Sequence, residues 1–214
     1  MMKGFSDFGT LKCCIIGSCD VGKTSIIQQH LKQSSQTEAT LGAIYWVLNH
    51  TTPDGNIIKI DFWDTAGQER YNSLIPMYTR NTDIILLTFD ISRKDTFLDL
   101  ERWLELLDQP DIKLENIQII LLGNKSDLEI FRQVEQPEID IFLKKHLDKK
   151  ICYLETSART GSNIETLFQK IYGIANDKMK IEKIKQQEEI IDQKIIHLLP
   201  KKYNYNNSYF SDCC

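Results

Sequence analysis

The sequence predicts a three-layer α/β fold with a mostly parallel six-stranded sheet that contains one antiparallel strand. Three observations support this prediction. Six short apolar segments alternate with longer segments in which apolar residues recur at helical spacing. Two of them, DIILLTFD and NIQIILLGNK, are apolar almost throughout, as is typical of parallel strands covered on both faces. A glycine-containing loop follows the first segment directly, and strands that alternate with helices form layered, mostly parallel sheets.

The first half of the chain begins with a strand, a loop and a helix. LKCCIIG predicts the first strand, and KTSIIQQHLK after the loop predicts the first helix. After the polar stretch QSSQTEAT, the segment AIYWVLNH is joined by TPDGN to IIKIDFWD. Because Pro, Asp, Gly and Asn favour tight turns, we expect these two segments to pair as an antiparallel hairpin.

The second half continues the alternation of strands and helices. DIILLTFD and NIQIILLGNK are predicted strands, and TFLDLERWLELLDQ between them is a predicted helix that Asp95 or Ser92 can cap. PEIDIFLKKHL is the next predicted helix, ICYLET the last strand and NIETLFQKIYGIAND the final helix. Ligands of such folds lie at the carboxyl ends of the strands, so we expect the site residues there.

These elements divide the chain into three parts. We expect a flexible N-terminus over residues 1–10, a domain over residues 11–177, and a helical extension with a flexible tail over residues 178–214. The segment KMKIEKIKQQEEIIDQKIIHLLPKK can prolong the last helix. A solvated extension is favoured over a short coiled-coil contact, since a coiled coil usually needs three or four sustained heptads. YNYNNSYFSDCC has the composition of a flexible linker.

Composition argues against several classes of function. With 214 residues and a formal net charge of −4, the chain lacks the basic surplus that is typical of nucleic-acid binders. No apolar run approaches the length that spans a bilayer, and MMKGFSDFGT lacks the apolar core of a signal peptide. We therefore expect the protein to meet the cytosol. The six cysteines form no paired CxxC ladder with histidine, which argues against a zinc site.

Residues 17–24, GSCDVGKT, have the spacing Gly-x4-Gly-Lys-Thr of a phosphate-binding loop. Glycines let the backbone turn tightly, so that successive N–H groups converge on an anion. Lys23 is expected to reach the outer phosphates, and the Thr24 hydroxyl to coordinate Mg²⁺. The flanking strand and helix strengthen the prediction, because they point the helix N-terminus at the phosphates. The predicted binding residues here are Gly17, Asp20, Val21, Gly22, Lys23, Thr24 and Ser25.

The segment WDTAGQE ends the second strand of the hairpin. Asp64 can hold the metal through water, the Gly67 N–H can approach the terminal phosphate, and Gln68 can orient an attacking water. A merely polar turn is the alternative, but the phosphate loop upstream favours the chemical role. Gln68 and Lys23 are therefore the predicted catalytic residues.

Two further strand ends carry residues that suit a guanine base. In GNKSD, Asp127 can accept hydrogen bonds from the N1–H and the exocyclic amine of guanine, a donor pair that adenine lacks on that edge. Asn124 can bind N7, and the Lys125 stem can lie along the ring. NKSD alone also serves as a helix-starting turn, but TSAR after the next strand strengthens the prediction, because the Ala158 N–H can meet the guanine carbonyl. The binding residues of this second segment are Ser157, Ala158 and Arg159.

From about residue 11 to residue 177, these motifs resemble those of a small GTPase of the Ras superfamily in their order. Within it the chain resembles the Rab branch: TLGAIY is similar to the Rab pattern Thr-Ile-Gly-x-x-Phe, KIDFWDTAGQERY and TFDIS match, and the chain ends in Cys-Cys. The resemblance implies a P-loop GTPase fold and a switch that binds GTP or GDP with Mg²⁺ and hydrolyses GTP slowly. It also implies that Thr40 binds Mg²⁺ and the γ-phosphate in the GTP state only, so that the metal set is Thr24, Thr40 and Asp64.

The resemblance further implies partners and a membrane. Tyr45, Trp63 and Tyr78 form the aromatic patch that Rab effectors contact, although partial burial in the core also explains such residues. Cys213 and Cys214 resemble the Rab ending on which both thiols are geranylgeranylated, since stable anchoring needs two lipid chains; a chance Cys-Cys pair is the alternative.

The implied protein is a monomer that acts in vesicle trafficking and cycles between the cytosol and the cytosolic face of an endomembrane. Its implied partners are an exchange factor, a GTPase-activating protein, effectors and an escort or GDI-type chaperone, and no nucleic acid.

Departures from the family pattern leave other functions open. Cys19 and Asp20 stand where most members carry small neutral residues; at about 6 Å and an effective dielectric of about 20, repulsion between Asp20 and one phosphate charge reaches roughly 3 kcal/mol. From Lys23 to Thr40 the chain is two residues shorter than usual, and KQSSQTEA lacks the aromatic residue that normally stacks on guanine. A GTP-bound scaffold with little hydrolysis is one alternative. A P-loop phosphotransferase is a remote one, since no arginine-rich lid is evident.

Overall fold

The computed structural model describes residues 7–32, 40–108 and 117–198, and a six-stranded sheet forms its centre. The strands are β1 (Asp7–Ile16), β2 (Ala43–Thr51), β3 (Ile57–Thr65), β4 (Ile84–Asp90), β5 (Gln118–Asn124) and β6 (Cys152–Glu155). They lie in the order β2-β3-β1-β4-β5-β6. The β2–β3 pair is antiparallel and the other four pairs are parallel. This topology confirms the predicted fold class.

Helices and short 3₁₀ segments connect the strands. The helices are α1 (Lys23–Leu31), α2 (Ile75–Thr79), α3 (Lys94–Leu98), α4 (Leu100–Leu107), α5 (Gln136–Lys145) and α6 (Ile164–Leu198). The 3₁₀ segments cover Glu69–Leu74, Ser126–Phe131 and Leu147–Lys149. All seven residues of β4 are buried, because elements cover this central strand on both faces, as its uninterrupted apolar sequence predicts.

The antiparallel hairpin forms where the turn signal predicts it. The Thr52 N–H donates to the Asn56 carbonyl at 2.8 Å, and the Gly55 N–H donates to the Thr52 carbonyl at 2.9 Å. Gly55 has a φ of +79°, a conformation that glycine adopts without strain. The resulting register places Tyr45 of β2 opposite Trp63 of β3.

The predicted helix between β4 and β5 is two helices in the structure. Helices α3 and α4 meet at Asp99, whose N–H donates to the Asp95 carbonyl at 3.0 Å. The expectation that Asp95 or Ser92 caps the helix is wrong, because the N-cap is Arg93 and makes no side-chain cap bond. The Ser92 hydroxyl instead donates to the Asp90 carboxylate at 2.7 Å, and the Arg93 guanidinium donates to Asp95 at 2.7 Å.

The chain divides into two compact units after Asn176. In the first unit, β1 begins at Asp7, before the Leu11 start that the sequence suggested. The last helix continues to Leu198, as the apolar spacing in the extension allowed. Within the described ranges, no helix is long and apolar enough to cross a membrane. The expected flexible N-terminal residues 1–6, the aromatic-free segment 33–39 and the tail 199–214 lie outside the described residues.

Candidate functional site

The predicted phosphate loop connects β1 to α1, at the carboxyl end of the sheet, and its glycines are required by close contacts. Gly17 has a φ of +146°, and a Cβ there would lie 2.1 Å from the Thr88 carbonyl oxygen. Gly22 has a φ of +93°, and a Cβ there would lie 2.3 Å from Asn124 Nδ2. Any larger residue would therefore push the loop away from β4 and β5.

Lys23 is held inside this loop, with 7 % of its surface exposed. Its Nζ donates to the carbonyls of Gly17 and Ser18, both at 2.8 Å. Burial lowers the pKa of Lys23 to about 8, although the nearby Asp64 carboxylate raises it. A Cβ on Gly67 would lie 2.5 Å from this Nζ, so the backbone of the DTAG turn approaches the ammonium closely. A buried ammonium group in such a loop favours an anionic ligand.

The three predicted metal ligands lie together at the start of α1. The Thr24 hydroxyl donates to Asp64 Oδ2 at 2.5 Å and lies 3.2 Å from the Thr40 hydroxyl. Asp64 is fully buried, and burial raises its pKa to about 6 against the opposing effect of the Thr24 hydrogen bond. Asp64 Oδ1 is buried and has no hydrogen-bond partner among the described residues.

This oxygen set fits Mg²⁺. Two hydroxyls and one carboxylate are hard oxygen donors, and a cation, or a water that a cation holds, would stabilise the buried Oδ1. Within the described ranges no group of three or more His, Cys, Asp or Glu residues could hold a metal ion. The set therefore suits a metal that takes its other ligands from phosphate oxygens and water, as Mg²⁺ does in nucleotide sites.

A cavity of about 290 Å³ lies over these groups. Gln68 lines it, and its Oε1 is buried without a hydrogen-bond partner in the described part of the chain. The Lys125 side chain lines the cavity from the base-recognition side. The lining residues are Cys19, Asp20, Gly22, Lys23, Thr24, Ser25, Thr40, Thr65, Gly67, Gln68 and Lys125.

Asn124 joins the phosphate loop to the predicted base-recognition segments. Its Nδ2 donates to the Val21 carbonyl at 2.7 Å. Its Oδ1 accepts from the Thr156 hydroxyl and from the Ala158 N–H, both at 3.2 Å. Asn124 is 1 % exposed, so these three bonds fix the distance between the loop and the TSAR segment. The Ala158 N–H predicted for the guanine carbonyl donates to Asn124 here.

The other base-recognition residues are held by protein partners. Asp127 Oδ1 accepts from the Ser157 hydroxyl at 2.5 Å, and Arg159 Nη1 lies 3.9 Å from Asp127 Oδ2. Lys125 Nζ lies 2.7 Å from Asp90 Oδ2, and the Asp90 carboxylate is almost fully buried. The structure thus brings together the ends of β4, β5 and β6 at one edge of the sheet.

An ion cluster that the motifs did not predict braces the same edge. Arg132 follows the Ser126–Phe131 segment, and Glu155 directly precedes the TSAR segment. Two Arg132 nitrogens donate to the two Glu155 carboxylate oxygens at 3.0 and 2.8 Å. Arg132 also contacts Glu129, and the Tyr153 hydroxyl donates to Glu155 at 2.7 Å. No short motif links these residues, because the pair is 23 positions apart in the chain.

The unusual loop residues Cys19 and Asp20 have a neighbour that the sequence did not indicate. Asp20 is exposed and has a φ of +61°, which is uncommon for a residue other than glycine. Arg93 Nη1 donates to the Cys19 carbonyl at 3.3 Å. A second contact comes from the junction of α3 and α4, where Asp99 accepts from the Ser18 hydroxyl at 2.7 Å. The β4–α4 region thus holds the loop from outside.

The predicted aromatic patch (Tyr45, Trp63 and Tyr78) is contiguous. The ring centroids of Tyr45 and Trp63 lie 5.2 Å apart, and those of Trp63 and Tyr78 lie 5.7 Å apart. Tyr45 is 46 % exposed, and the other two rings are partly buried. Exposure and partial packing in the core therefore coexist, as the sequence left open. Cys213 and Cys214 lie outside the described residues.

Two sequence comparisons with known proteins agree with these motifs. A sequence model of the Ras family matches residues 12–176. The chain is also 39 % identical over 163 residues to the Ras-related protein Rab-11A of Dictyostelium discoideum, an alignment that covers 75 % of this chain and 73 % of that protein.

Proposed function

Because this chain belongs to the Ras family of small GTPases and is similar to a Rab protein, we propose that its cavity binds Mg²⁺-GTP and that the residues described above carry the switch. A Rab-like GTPase binds and hydrolyses GTP and acts as a molecular switch in intracellular membrane trafficking. The proposal assigns individual residues of this chain to the steps of that activity.

One observation carries the assignment of the ligand. The Asn124 side chain joins the phosphate loop, through the Val21 carbonyl, to the TSAR segment, through the Ala158 N–H. A ligand that spans both segments has phosphates at one end and a base at the other. The Asp127 carboxylate, positioned by Ser157, suits the paired donors of guanine, and the Lys125 stem lines the path between the two ends.

The phosphate end supplies the hydrolytic machinery. Lys23 would neutralise charge on the outer phosphates, and Thr24, Thr40 and Asp64 would hold Mg²⁺, which would supply positive charge at the reacting phosphates. Gln68 Oε1 accepts a hydrogen bond from the attacking water and orients it. Because this catalysis depends on positioning and on fixed charges, turnover without an activating protein is slow.

The aromatic patch and the C-terminal cysteines are the regions to which we assign contacts with regulators and with a membrane. The aromatic patch is the proposed effector surface, and exchange and activating proteins contact the region around it. Cys213 and Cys214 are the proposed sites of double lipidation, which gives stable peripheral attachment to an endomembrane where one chain does not. An escort or GDI-type chaperone then carries the lipidated protein through the cytosol.

Single-turnover hydrolysis of Mg²⁺-GTP by the purified full chain tests the proposal. We expect slow phosphate release by the wild type and about 10²-fold slower release by Gln68→Leu, because the water loses its orienting group. Dissociation of bound GTP, measured in parallel, is expected to be similar in the two proteins.

The presence of Cys19 and Asp20 in the loop favours one alternative, a GTP-bound scaffold. Equal and negligible phosphate release by wild type and Gln68→Leu, with GTP remaining bound, contradicts the hydrolytic assignment and supports the scaffold. Failure of the wild type to bind GTP contradicts both.

A further inference from the structure

Arg93 contacts the phosphate loop at its most unusual point. The residue lies between β4 and α3, and its Nη1 donates to the Cys19 carbonyl at 3.3 Å. Its other terminal nitrogen donates to Asp95 Oδ2 at 2.7 Å, which fixes the orientation of the guanidinium. Arg93 thus connects a helix-start carboxylate to one particular peptide group of the loop, the peptide that joins Cys19 to Asp20.

The geometry of that peptide links Arg93 to the binding cavity. The described chain contains no cis peptide bond, and in a trans peptide the C=O and the following N–H point in opposite directions. A Cys19 carbonyl that points at Arg93 therefore aims the Asp20 N–H the other way. Cys19 and Asp20 both line the cavity, and an N–H that faces it is a suitable donor for a phosphate oxygen.

The same guanidinium lies in the field of the Asp20 carboxylate. The hydrogen bond with Asp95 is the main cause that raises the pKa of Arg93, and the carboxylates of Asp95, Asp90 and Asp20 raise it further. Asp20 also acts on the other cation of the loop, since its charge raises the pKa of Lys23 against the larger effect of burial. The Asp20 carboxylate therefore lies within electrostatic range of two cations, Arg93 and Lys23.

We propose that Arg93 is a positioning residue of the phosphate loop. It holds the Cys19–Asp20 peptide with the Asp20 N–H towards the phosphates, and its charge offsets the Asp20 carboxylate. This inference rests on the proposed function, because it assumes that the loop binds nucleotide phosphates. The guanidinium, held on the carbonyl next to Asp20, would then offset part of the repulsion between this aspartate and the phosphates.

Dissociation of a fluorescent guanine nucleotide from the Mg²⁺-loaded full chain tests the inference. We expect Arg93→Ala to accelerate dissociation about fivefold, the upper range for a partly exposed charge pair. Arg93→Lys keeps the charge and is expected to restore at least half of the lost lifetime. Lys94→Ala is the matched control, because it removes an adjacent positive charge that pairs with Glu138 on α5 and is expected to leave dissociation unchanged.

A double-mutant cycle with Asp20→Gly separates the offset of the Asp20 charge from the positioning of the peptide. If Arg93 offsets the charge of Asp20, the acceleration of nucleotide dissociation by Arg93→Ala falls from about fivefold to about twofold in the Asp20→Gly background. Raising the salt concentration should then reduce this acceleration only in the protein that keeps Asp20. Equal acceleration in both backgrounds overturns the proposed offset of the Asp20 charge, and no acceleration in either background overturns the positioning of the peptide.

Two further outcomes have distinct meanings. If the wild type binds GTP and the rate of nucleotide dissociation from Arg93→Ala lies within twofold of the wild-type rate, this inference is overturned and the proposed function stays intact. A wild type that binds no guanine nucleotide contradicts the proposed function, and this inference with it.

Discussion

The two ends of the cleft differ in how burial affects their charged side chains. At the base end, residues 124–127 and 156–159, each recognition side chain is bonded to another part of the protein: Asn124 to Val21, Asp127 to Ser157 and Lys125 to Asp90. At the phosphate end, residues 17–25 with Thr40, Asp64 and Gln68, the charged groups Lys23 and Asp64 are also hydrogen-bonded, but burial destabilises their charged forms. Burial lowers the pKa of Lys23 and raises that of Asp64.

This difference shows how the two ends divide stability and function. The base end is preorganised, so that its contacts support the fold as well as the ligand. The phosphate end keeps charged groups away from water, which destabilises the ligand-free protein and strengthens the binding of phosphate and metal. Variants at the base end should therefore change specificity and stability, whereas variants at the phosphate end should separate binding from stability.

Asp127→Asn gives the largest expected effect and sharpens the role of the base end. The asparagine loses one acceptor for guanine and gains a donor for the extra carbonyl of xanthine. We expect the ratio of GTP to XTP affinity to fall by about 10³-fold or more, because a site built for one hydrogen-bond pattern rejects another strongly. Competition binding with both nucleotides measures it. Asp127→Ala is the control, and equal loss of both nucleotides by Asp127→Asn would falsify the assignment.

Lys23→Met tests whether the phosphate end favours binding over stability. The change keeps the length of the side chain and removes its charge, so we expect the affinity for Mg²⁺-GTP to fall about 10²-fold. The free energy of unfolding is expected to change by less than about 1 kcal/mol. The loss of two hydrogen bonds destabilises the fold, whereas the removal of a buried charge stabilises it, and the two effects largely cancel. Calorimetric binding and urea unfolding of ligand-free protein measure both. A loss of unfolding free energy as large as the loss of binding free energy would contradict the proposed difference between the two ends.

Arg132→Ala tests the bracing of the base end. Loss of the paired bonds to Glu155 should lower the free energy of unfolding by about 1–2 kcal/mol, since Arg132 is mostly buried but its partners are partly exposed. GTP dissociation should accelerate about tenfold as the TSAR segment loosens. Lys94→Ala, which removes a partly exposed ion pair, should cost less than about 0.5 kcal/mol. Unchanged dissociation in Arg132→Ala would show that the cluster serves the fold alone.

The pH dependence of the stability of ligand-free protein tests the buried Asp64 carboxyl group. The folded pKa of Asp64, about 6, lies above its ordinary value of 3.8, so the folded state holds more protons between these two pH values. Stability from this group is therefore highest at low pH and falls as pH rises through 6. Relative to Asp64→Asn, we expect wild type to lose about 2 kcal/mol between about pH 4 and pH 6 in urea unfolding. Parallel curves for the two proteins would contradict a buried, protonatable Asp64.

The sequence alone determined the local features of this protein. The apolar segments predicted the sheet, because strands buried on both faces need near-continuous apolar side chains. The spacings GSCDVGKT, DTAGQ and NKSD predicted the binding residues, since each motif places its groups on one turn or strand end. These features depend on neighbours in the chain, so a linear pattern records them.

The contacts between residues that lie far apart in the chain are visible only in the folded protein. Arg93 on the Cys19 carbonyl, Arg132 on Glu155 and Asp99 on Ser18 join positions 74, 23 and 81 residues apart. No periodicity links such pairs, because the order of the strands in the sheet brings them together. The break between α3 and α4 at Asp99 is also invisible in the helical spacing. The sequence thus predicted the ligand's binding groups, and the fold supplied the contacts that hold an aspartate-bearing loop in place.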